Sequence, residues 1–479
     1  MRKINNSISF VLDGKVVKID FISSNSLNPT TTVLNYLRSL SNHKGVKEGC
    51  AEGDCGACTV VLGEGRGGKI TYKAVDSCLI FLPMVQGKQL ITVENIGCID
   101  DLHPVQQAMV DTDGSQCGYC TPGFIMALFE LYKNHNNPSR EVIDDALTGN
   151  LCRCTGYRSI VKAASISCAK NEKDSITRTE KNTLKLLKGI KKESIHIKIK
   201  TQEYFLPTTL EEAISLRAKH GKALLVGGAT DLALRVTKNN ELLSKIIDLG
   251  NIDALKSIRR TKSQLIIGSG ASLEAIKMET QNLFPALYKM LAVFGSKQIR
   301  HLATLGGNLG SASPIGDMPP ILIAYNASVI LAGPKGKRNV AINDFVTGYR
   351  STVLLENEII KEVVIPISNR GALISSYKIS KRKDLDISTV SAGYRLELNS
   401  NQTIYTAKLV YGGMAAMPKR ARKTEAFLKG KPWNREVIEQ AMGVMESDFV
   451  PISDARSGAA ARMIMAKNLL LKFWTENRN

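Results

Sequence analysis
The chemistry of this chain is concentrated in its cysteines. Cys50, Cys55, Cys58, Cys78, Cys98, Cys117, Cys120, Cys152, Cys154 and Cys168 all fall within the first 168 residues, and the remaining 311 of 479 contain none. No apolar stretch follows the early charge of the N-terminus, so an exported, disulfide-stapled domain is not expected, and thiolates kept for metal binding are the better reading. Cys50-x4-Cys55-x2-Cys58, followed by Cys78, has the ligand spacing of a plant-type [2Fe–2S] cluster. Gly49, Gly53 and Gly56 let the backbone wrap closely there and turn N–H groups towards the sulfurs, which stabilises cluster charge and raises the potential. Structural zinc more often draws on short paired knuckles. The second set, Cys117-x2-Cys120 with Cys152-x-Cys154, leaves zinc and a second [2Fe–2S] cluster both open, although Cys-x-Cys is tight for a zinc knuckle. Cys98 and Cys168 belong to neither set and read as ordinary thiols.

Two glycine-rich segments come later. Leu225-Val226-Gly227-Gly228-Ala229-Thr230-Asp231-Leu232 follows a predicted strand, and Thr304-Leu305-Gly306-Gly307-Asn308-Leu309-Gly310-Ser311 leads to Asp317. Neither is G-x-G-x-x-G, so a Rossmann dinucleotide site is not supported. Each alone reads more readily as a tight turn than as a cradle of backbone N–H groups for a pyrophosphate, and the two together downstream of the cysteine sets favour the cradle. Clusters carry single electrons and need a partner that turns them into a hydride, and a flavin does this.

The elements that must position these residues change in character along the chain. Ser7–Leu12, Asp13-Gly14 and Lys15–Ile19 form a predicted hairpin with a type I′ turn. A helical stripe of Val33, Leu34, Leu37 and Leu40 follows, then strands at Thr59–Leu62 and Lys69–Val75 around a turn from Gly63 to Gly68. Four short helices are predicted at Asp101–Asp111, Phe124–Lys133, Glu141–Leu147 and Arg158–Ala169, and a compact bundle is their natural packing. Residues 170–197 are polar and lysine-rich and read as a linker. Beyond them, a capping box at Thr209–Glu212 and buried strands at Ala223–Val226, Lys245–Leu249 and Leu265–Ile267 give a mixed α/β pattern, closed by a helix over Ala459–Trp474.

Hydrophobic residues make up 43% and charged residues 23%, which excludes a disordered or fibrous chain. No run of 18 apolar residues is present, so no membrane span is expected. The net charge of +20 suggests anionic partners, but no basic run is interleaved with aromatics, and nucleic acid is not expected.

Gln116-Cys117-Gly118-Tyr119-Cys120-Thr121-Pro122-Gly123 and Gly149-Asn150-Leu151-Cys152-Arg153-Cys154-Thr155-Gly156-Tyr157, taken with the first cysteine loop, resemble the molybdenum hydroxylases of the xanthine oxidase family over nearly the whole chain. The resemblance implies a multidomain α+β fold. Its parts would be a β-grasp plant-type ferredoxin domain (1–92), a four-helix [2Fe–2S] domain (93–169), the linker (170–197), an α/β FAD-binding domain (198–372) and a C-terminal α+β flavoprotein domain (373–479). It implies two [2Fe–2S] clusters, on Cys50, Cys55, Cys58 and Cys78 and on Cys117, Cys120, Cys152 and Cys154, with Gln116 facing a pterin on a partner. It implies FAD contacts at Leu225 to Leu232, Phe294, Thr304 to Asn308, Ser311, Asp317, Ile360 and Lys378, and NAD as acceptor near Tyr349 and the loop Lys381–Asp386. The first segment carries Ala229 and Asp231 where some members have Asn and Glu. No catalytic residue is expected on this chain. The molybdenum-pterin would lie on a large partner subunit, in a cytoplasmic assembly of two small and two large chains that oxidises hypoxanthine or xanthine to urate. The alternative is the equivalent subunit of a relative acting on aldehydes, N-heterocycles or carbon monoxide, and it is disfavoured because the resemblance implies separate iron–sulfur and flavin chains there. A zinc-stabilised basic binding protein is the rival from a different class.

Overall fold
In a computed structural model the protein is described over residues 5–24, 26–169, 173–367 and 371–478. The first three residues of the expected linker, 170–172, and residues 368–370 before the expected boundary at 372 lie outside that description. The chain forms two compact units. One comprises Met1–Ala213, Lys222–Asp253 and Ser296–Ala303; the other comprises Ile214–Gly221, Ala254–Gly295 and Thr304–Asn479.

The first unit opens with a five-stranded sheet in the order Lys15–Asp20, Ser7–Leu12, Gln89–Ile91, Thr59–Arg66, Lys69–Asp76. Ser7–Leu12 pairs in parallel with Gln89–Ile91, and the other neighbours are antiparallel. Asp13 and Gly14 both have positive φ, 52° and 68°, as the predicted type I′ turn requires. The helix Val33–Ser39 is capped by Thr32, whose side chain accepts from the Asn35 amide. It buries Val33, Leu34, Tyr36 and Leu37, with Tyr36 edge-on to Phe10. The predicted turn at Gly63–Gly68 is shorter than expected: the strand continues through Gly63 to Arg66, and only Gly67 and Gly68 take positive φ.

Four helices follow, at Pro104–Asp111, Thr121–Asn134, Arg140–Leu147 and Arg158–Ala169. The first begins at Pro104 rather than at Asp101. Asp101 is instead bridged to Cys98, and His103 caps the helix by accepting from the Val105 amide. Thr121–Asn134 is the central helix, apolar on most faces, and buries Phe124 through Tyr132.

The segment expected to be a linker holds a helix, Ser175–Gly189. It docks on the ferredoxin-like sheet: Glu180 accepts from the Ile70 amide, and Ile176 and Leu187 are buried. Its N-cap, Asp174, explains the docking. Asp174 accepts from the Thr177 amide at 2.7 Å, pairs with Lys133 Nζ at 3.1 Å and lies 3.6 Å from His103 Nε2, all nearly buried. Burial works to raise this carboxyl, but His103, the Thr177 amide and Lys133 outweigh it and hold it well below the usual carboxylate range. A lysine-rich stretch reads as solvated because this contact depends on residues about 40 and 70 positions upstream. Asp174→Ala should therefore destabilise the chain by about 3 kcal/mol in urea melts, the scale of breaking a buried pair. Because the folded pKa is depressed, the parent's advantage should persist above about pH 4 and vanish as pH falls below it. A variant that melts with the parent at pH 7 contradicts this.

The unit is completed by a four-stranded sheet in the order Ile195–Lys198, Glu203–Leu206, Lys245–Asp248, Leu224–Val226. Ile195, Ile197, Tyr204, Leu206, Val226 and Ile246 share one core with Phe10, Leu37, Leu79 and Phe81 of the first sheet. Only half of the predicted capping box forms: Thr209 accepts from the Glu212 amide, whereas the Glu212 carboxylate turns to Thr208 and Ser194.

Besides the short hairpin of Val346–Gly348 and Ser351–Thr352, the described residues of the second unit form two larger sheets. One runs Ile258–Arg260, Gln264–Gly268, Ile359–Pro366, Ser328–Gly333, Gly336–Ala341. The other runs Ala372–Ile379, Val390–Leu398, Ile404–Gly412, Lys419–Arg420, and its core takes Tyr394, Tyr411, Met445, Leu470 and Phe473, the last two from the helix Ala459–Glu476.

Candidate functional site
The two cysteine sets are each built as two pairs. Cys58 Sγ lies 3.4 Å from Cys78 Sγ, and Cys50 and Cys55 act on each other's thiol. Cys154 Sγ lies 3.5 Å from Cys117 Sγ, and the Cys120 thiol feels Cys152. Among the described residues no three Cys, His, Asp or Glu side chains converge on one point as a mononuclear site would need. A [2Fe–2S] core takes two thiolates on each of two irons, whereas zinc draws all four ligands to one ion at about 2.3 Å. The thiols therefore fit the cluster better than the single ion.

The backbone around the sulfurs is shaped for negative charge. Cys50 Sγ receives the amides of Glu52 at 3.4 Å and Asp54 at 3.3 Å, and these bonds, after the larger effect of Cys55, hold its thiol down to about 5. Cys117 takes the Tyr119 amide, and Cys152 takes those of Cys154 and Thr155. These amides converge because Ala51, Gly53, Gly56, Gly118, Gly156 and Tyr157 all adopt positive φ. At Gly49 a Cβ would stand 2.8 Å from Cys55 Sγ, so a larger residue would displace a sulfur. Burial pushes the Cys120 thiol up to about 12, so a bound metal must drive its deprotonation. Cys98 is exposed and Cys168 buried, both outside the two sets as expected.

The two sets are joined backbone to backbone. The Leu151 amide, one residue before Cys152, donates to the Cys55 carbonyl at 3.0 Å. Asn150 Nδ2 donates to the Gly56 carbonyl at 3.0 Å and to Thr59 Oγ1 at 3.2 Å, while its Oδ1 accepts from Gln298 at 2.8 Å. Gly56 and Gly123 permit this approach: a Cβ on Gly123 would run into the Gly56 carbonyl, and one on Gly56 into the Gly149 carbonyl. The helix Lys297–Leu302 locks the arrangement. Gln298 and Arg300 are fully buried, Arg300 pairs with Asp145 at 2.6 Å and Lys297 with Glu130 at 2.9 Å. Sequence reading missed Asn150 and this helix, because their partners are remote in the chain and no periodicity marks them. On the exposed side of the second set stand Tyr119, Leu151 and Tyr157, together with Gln116.

The first glycine segment leaves the strand Leu224–Val226, turns at Ala229 with φ 61°, and enters the helix Ala233–Thr237. Gly228 is tightly held, since a Cβ there would strike the Leu302 carbonyl. The second segment is not a turn. Leu305–Gly310 is a short helix capped by Thr304, which accepts from the Gly307 amide at 3.1 Å. Glycine is needed at 306 because the helix lies against Ser269, whose carbonyl accepts the Gly306 amide at 2.8 Å. Asn308 Oδ1 is buried without a hydrogen-bond partner among the described residues, an orphan that a bound polar ligand would satisfy. Ile360 borders Gly310. Lys378 Nζ meets Asp317 Oδ2 at 3.1 Å and the Val293 carbonyl at 3.0 Å, 5.9 Å from the Phe294 ring, and Ser388 donates to Asp317 at 2.5 Å. Tyr349 is exposed at the tip of the hairpin formed by Val346–Gly348 and Ser351–Thr352. The Arg382 guanidinium closes the Lys381–Asp386 loop on Asp386 and holds that carboxyl below its usual range.

Comparison with known proteins bears on both halves of the chain. Four family descriptions match in order: a 2Fe-2S iron–sulfur cluster binding domain over residues 24–78, a [2Fe-2S] binding domain over 92–165, an FAD binding domain in molybdopterin dehydrogenase over 197–368, and a CO dehydrogenase flavoprotein C-terminal domain over 375–477. Xanthine dehydrogenase of Emericella nidulans is 33% identical over 93% of this chain. The chain belongs to the xanthine oxidase family. Within that family it is also 29% identical, over 99% of its length, to aldehyde oxidase 3 of Rattus norvegicus. It spans 36% and 39% of the lengths of these two relatives. A solved carbon monoxide dehydrogenase chain from Hydrogenophaga pseudoflava is 26% identical with a TM-score of 0.54, covering 57% of this chain and 95% of that one. The chain thus carries two iron–sulfur domains, an FAD-binding domain and a flavoprotein C-terminal domain of that family. No helix among the described residues is long and apolar enough to cross a membrane.

Proposed function
We propose that the chain is the small, electron-transfer subunit of an NAD-dependent xanthine dehydrogenase in the cytoplasm, working with a large molybdopterin-binding subunit in an assembly of two small and two large chains. The observation that carries this reading is the pair of two-by-two cysteine sets joined through the Leu151 amide and the Cys55 carbonyl, on a chain with a matching FAD-binding domain. Cys50, Cys55, Cys58 and Cys78 ligate one cluster, and Cys117, Cys120, Cys152 and Cys154 the other. Bound clusters would carry single electrons and FAD would combine two of them into a hydride for NAD⁺.

The chain's own residues supply the rest. Loop amides stabilise charge at the sulfurs, and the Asn150–Gln298 contact fixes the spacing of the two sets. Residues 225–232, Thr304 to Asn308, Ser311 and Ile360 hold FAD. Asn308 offers its orphaned oxygen, and the Lys378–Asp317 pair presents a cation beside Phe294. Tyr349 and the Lys381–Asp386 loop receive NAD. The domain limits 1–92, 93–169, 198–372 and 373–479 follow from this division of labour.

Xanthine rather than an aldehyde is favoured by the higher identity to the Emericella nidulans enzyme, 33% against 29% for the aldehyde oxidase. Purified alone, the full chain should oxidise NADH with an artificial dye and leave xanthine untouched. Co-expression with a molybdopterin-binding partner should give xanthine oxidation coupled to NAD⁺. Xanthine turnover by the chain alone would overturn the division between subunits. Aldehyde turnover without xanthine turnover by the complex would favour the second reading. Tyr349→Ala should raise the KM for NAD⁺ several-fold with dye-linked turnover retained, and an unchanged KM removes Tyr349 from that site.

A further inference from the structure
We propose that Lys238 tunes the first metal-binding loop: its ammonium raises the reduction potential of the cluster held by Cys50, Cys55, Cys58 and Cys78. The inference rests on the reading of those four thiols as ligands and adds to it a residue from outside the cysteine domains. Lys238 closes the helix Ala233–Thr237, which begins where the glycine segment 225–232 ends. Its Nζ donates to the Cys50 carbonyl at 3.1 Å and lies 3.3 Å from Glu52 Oε2. The same helix packs on the turn Ser77–Leu79, which carries Cys78. A single short element therefore touches both ends of one ligand set.

The charge around that set gives the lysine its effect. The loop carries Glu48, Glu52 and Asp54, and Asp76 is fully buried with a carboxyl oxygen 3.8 Å from Cys58 Sγ. Adding an electron to a thiolate-bound cluster adds negative charge among these acids, so each of them, when ionised, disfavours reduction. A cation on the first ligand's own carbonyl opposes them, and net charge near a cluster is one of the terms that sets its potential. Lys238 and Glu52 are both nearly half exposed, so solvent screens the effect and it should be modest and local. No comparable cation is bonded to the Cys117, Cys120, Cys152 or Cys154 carbonyls among the interactions seen for the described residues. The second cluster thus serves as an internal reference.

The test is a redox titration of the full chain followed by the paramagnetic signals of its reduced clusters. Lys238→Met should lower the reduced-to-oxidised ratio of one cluster at fixed potential by about threefold, which is about 28 mV at 59 mV per tenfold for one electron. The other cluster should stay where it was. Lys238→Arg should restore the parent value, and Glu52→Gln should move the same cluster upward. If the methionine variant loses iron, Lys238→Gln, which keeps a donor for the Cys50 carbonyl without the charge, decides in its place and should lower the midpoint of the same cluster. An unchanged midpoint with both signals intact, or an equal shift of both clusters, overturns the role of Lys238 and leaves the ligand reading standing. A parent chain with fewer than two cluster signals overturns the ligand reading itself.

Discussion

Cys154→Ser is expected to remove one of two cluster signals from the reduced chain and about half of its iron, leaving the other cluster intact. Cys154 pairs with Cys117 at 3.5 Å on the exposed side of the second set, so serine there disturbs no packed core. A hydroxyl is a far poorer iron ligand than a thiolate, and Cys117 would be left without its partner. Electron passage through the second set should then fall to background, while NADH oxidation with dye, which on the proposed function needs only the flavin, continues. Cys58→Ser should remove the other signal but also destabilise the chain, because Cys58 is buried in the core with Leu79 and Val60. Survival of both signals in Cys154→Ser would show that the second ligand set is misassigned.

Gly123→Val should separate the two sets without changing any ligand. Its Cβ would run into the Gly56 carbonyl, so either the helix Thr121–Asn134 or the Cys50–Cys58 loop must retreat. Electron transfer between two centres weakens as their separation grows, so a retreat of either element slows it. The expected result is a chain with the parent's iron and flavin content and dye-linked turnover, but with reduction of the second cluster by NADH slowed several-fold in stopped flow. Asn150→Ala provides a gentler version, removing the side-chain bonds to Gly56, Thr59 and Gln298 while keeping the Leu151–Cys55 backbone bond. It should slow the same step by less. Parent rates in both variants would show that this contact does not carry the electrons.

Much of the molecule was legible because its chemistry is local in sequence. The type I′ turn at Asp13-Gly14 and the periodicity of Val33 to Leu37 are each set within a few residues, and the structure has both. The misreadings share one cause. The helix Ser175–Gly189 looks like a solvated linker until Asp174 meets Lys133 and His103. The glycines at 306 and 307 look like a turn until Ser269 is placed against them and Thr304 caps the helix. Gln298 and Lys238 carry no local signal at all, because each acts on a side chain or carbonyl far away in the chain, and the role of Asn150 depends on the equally distant Gly56. Long-range polar contacts of this kind are what a single sequence conceals.

Metal, acid-labile sulfide and flavin analysis of the purified full chain tests most directly whether both cysteine sets hold two-iron clusters on a chain that also binds a flavin. About four irons, about four sulfides and about one FAD per chain, with no stoichiometric zinc, is the predicted result. A colourless protein with zinc in place of iron, or one with about two irons, would contradict it.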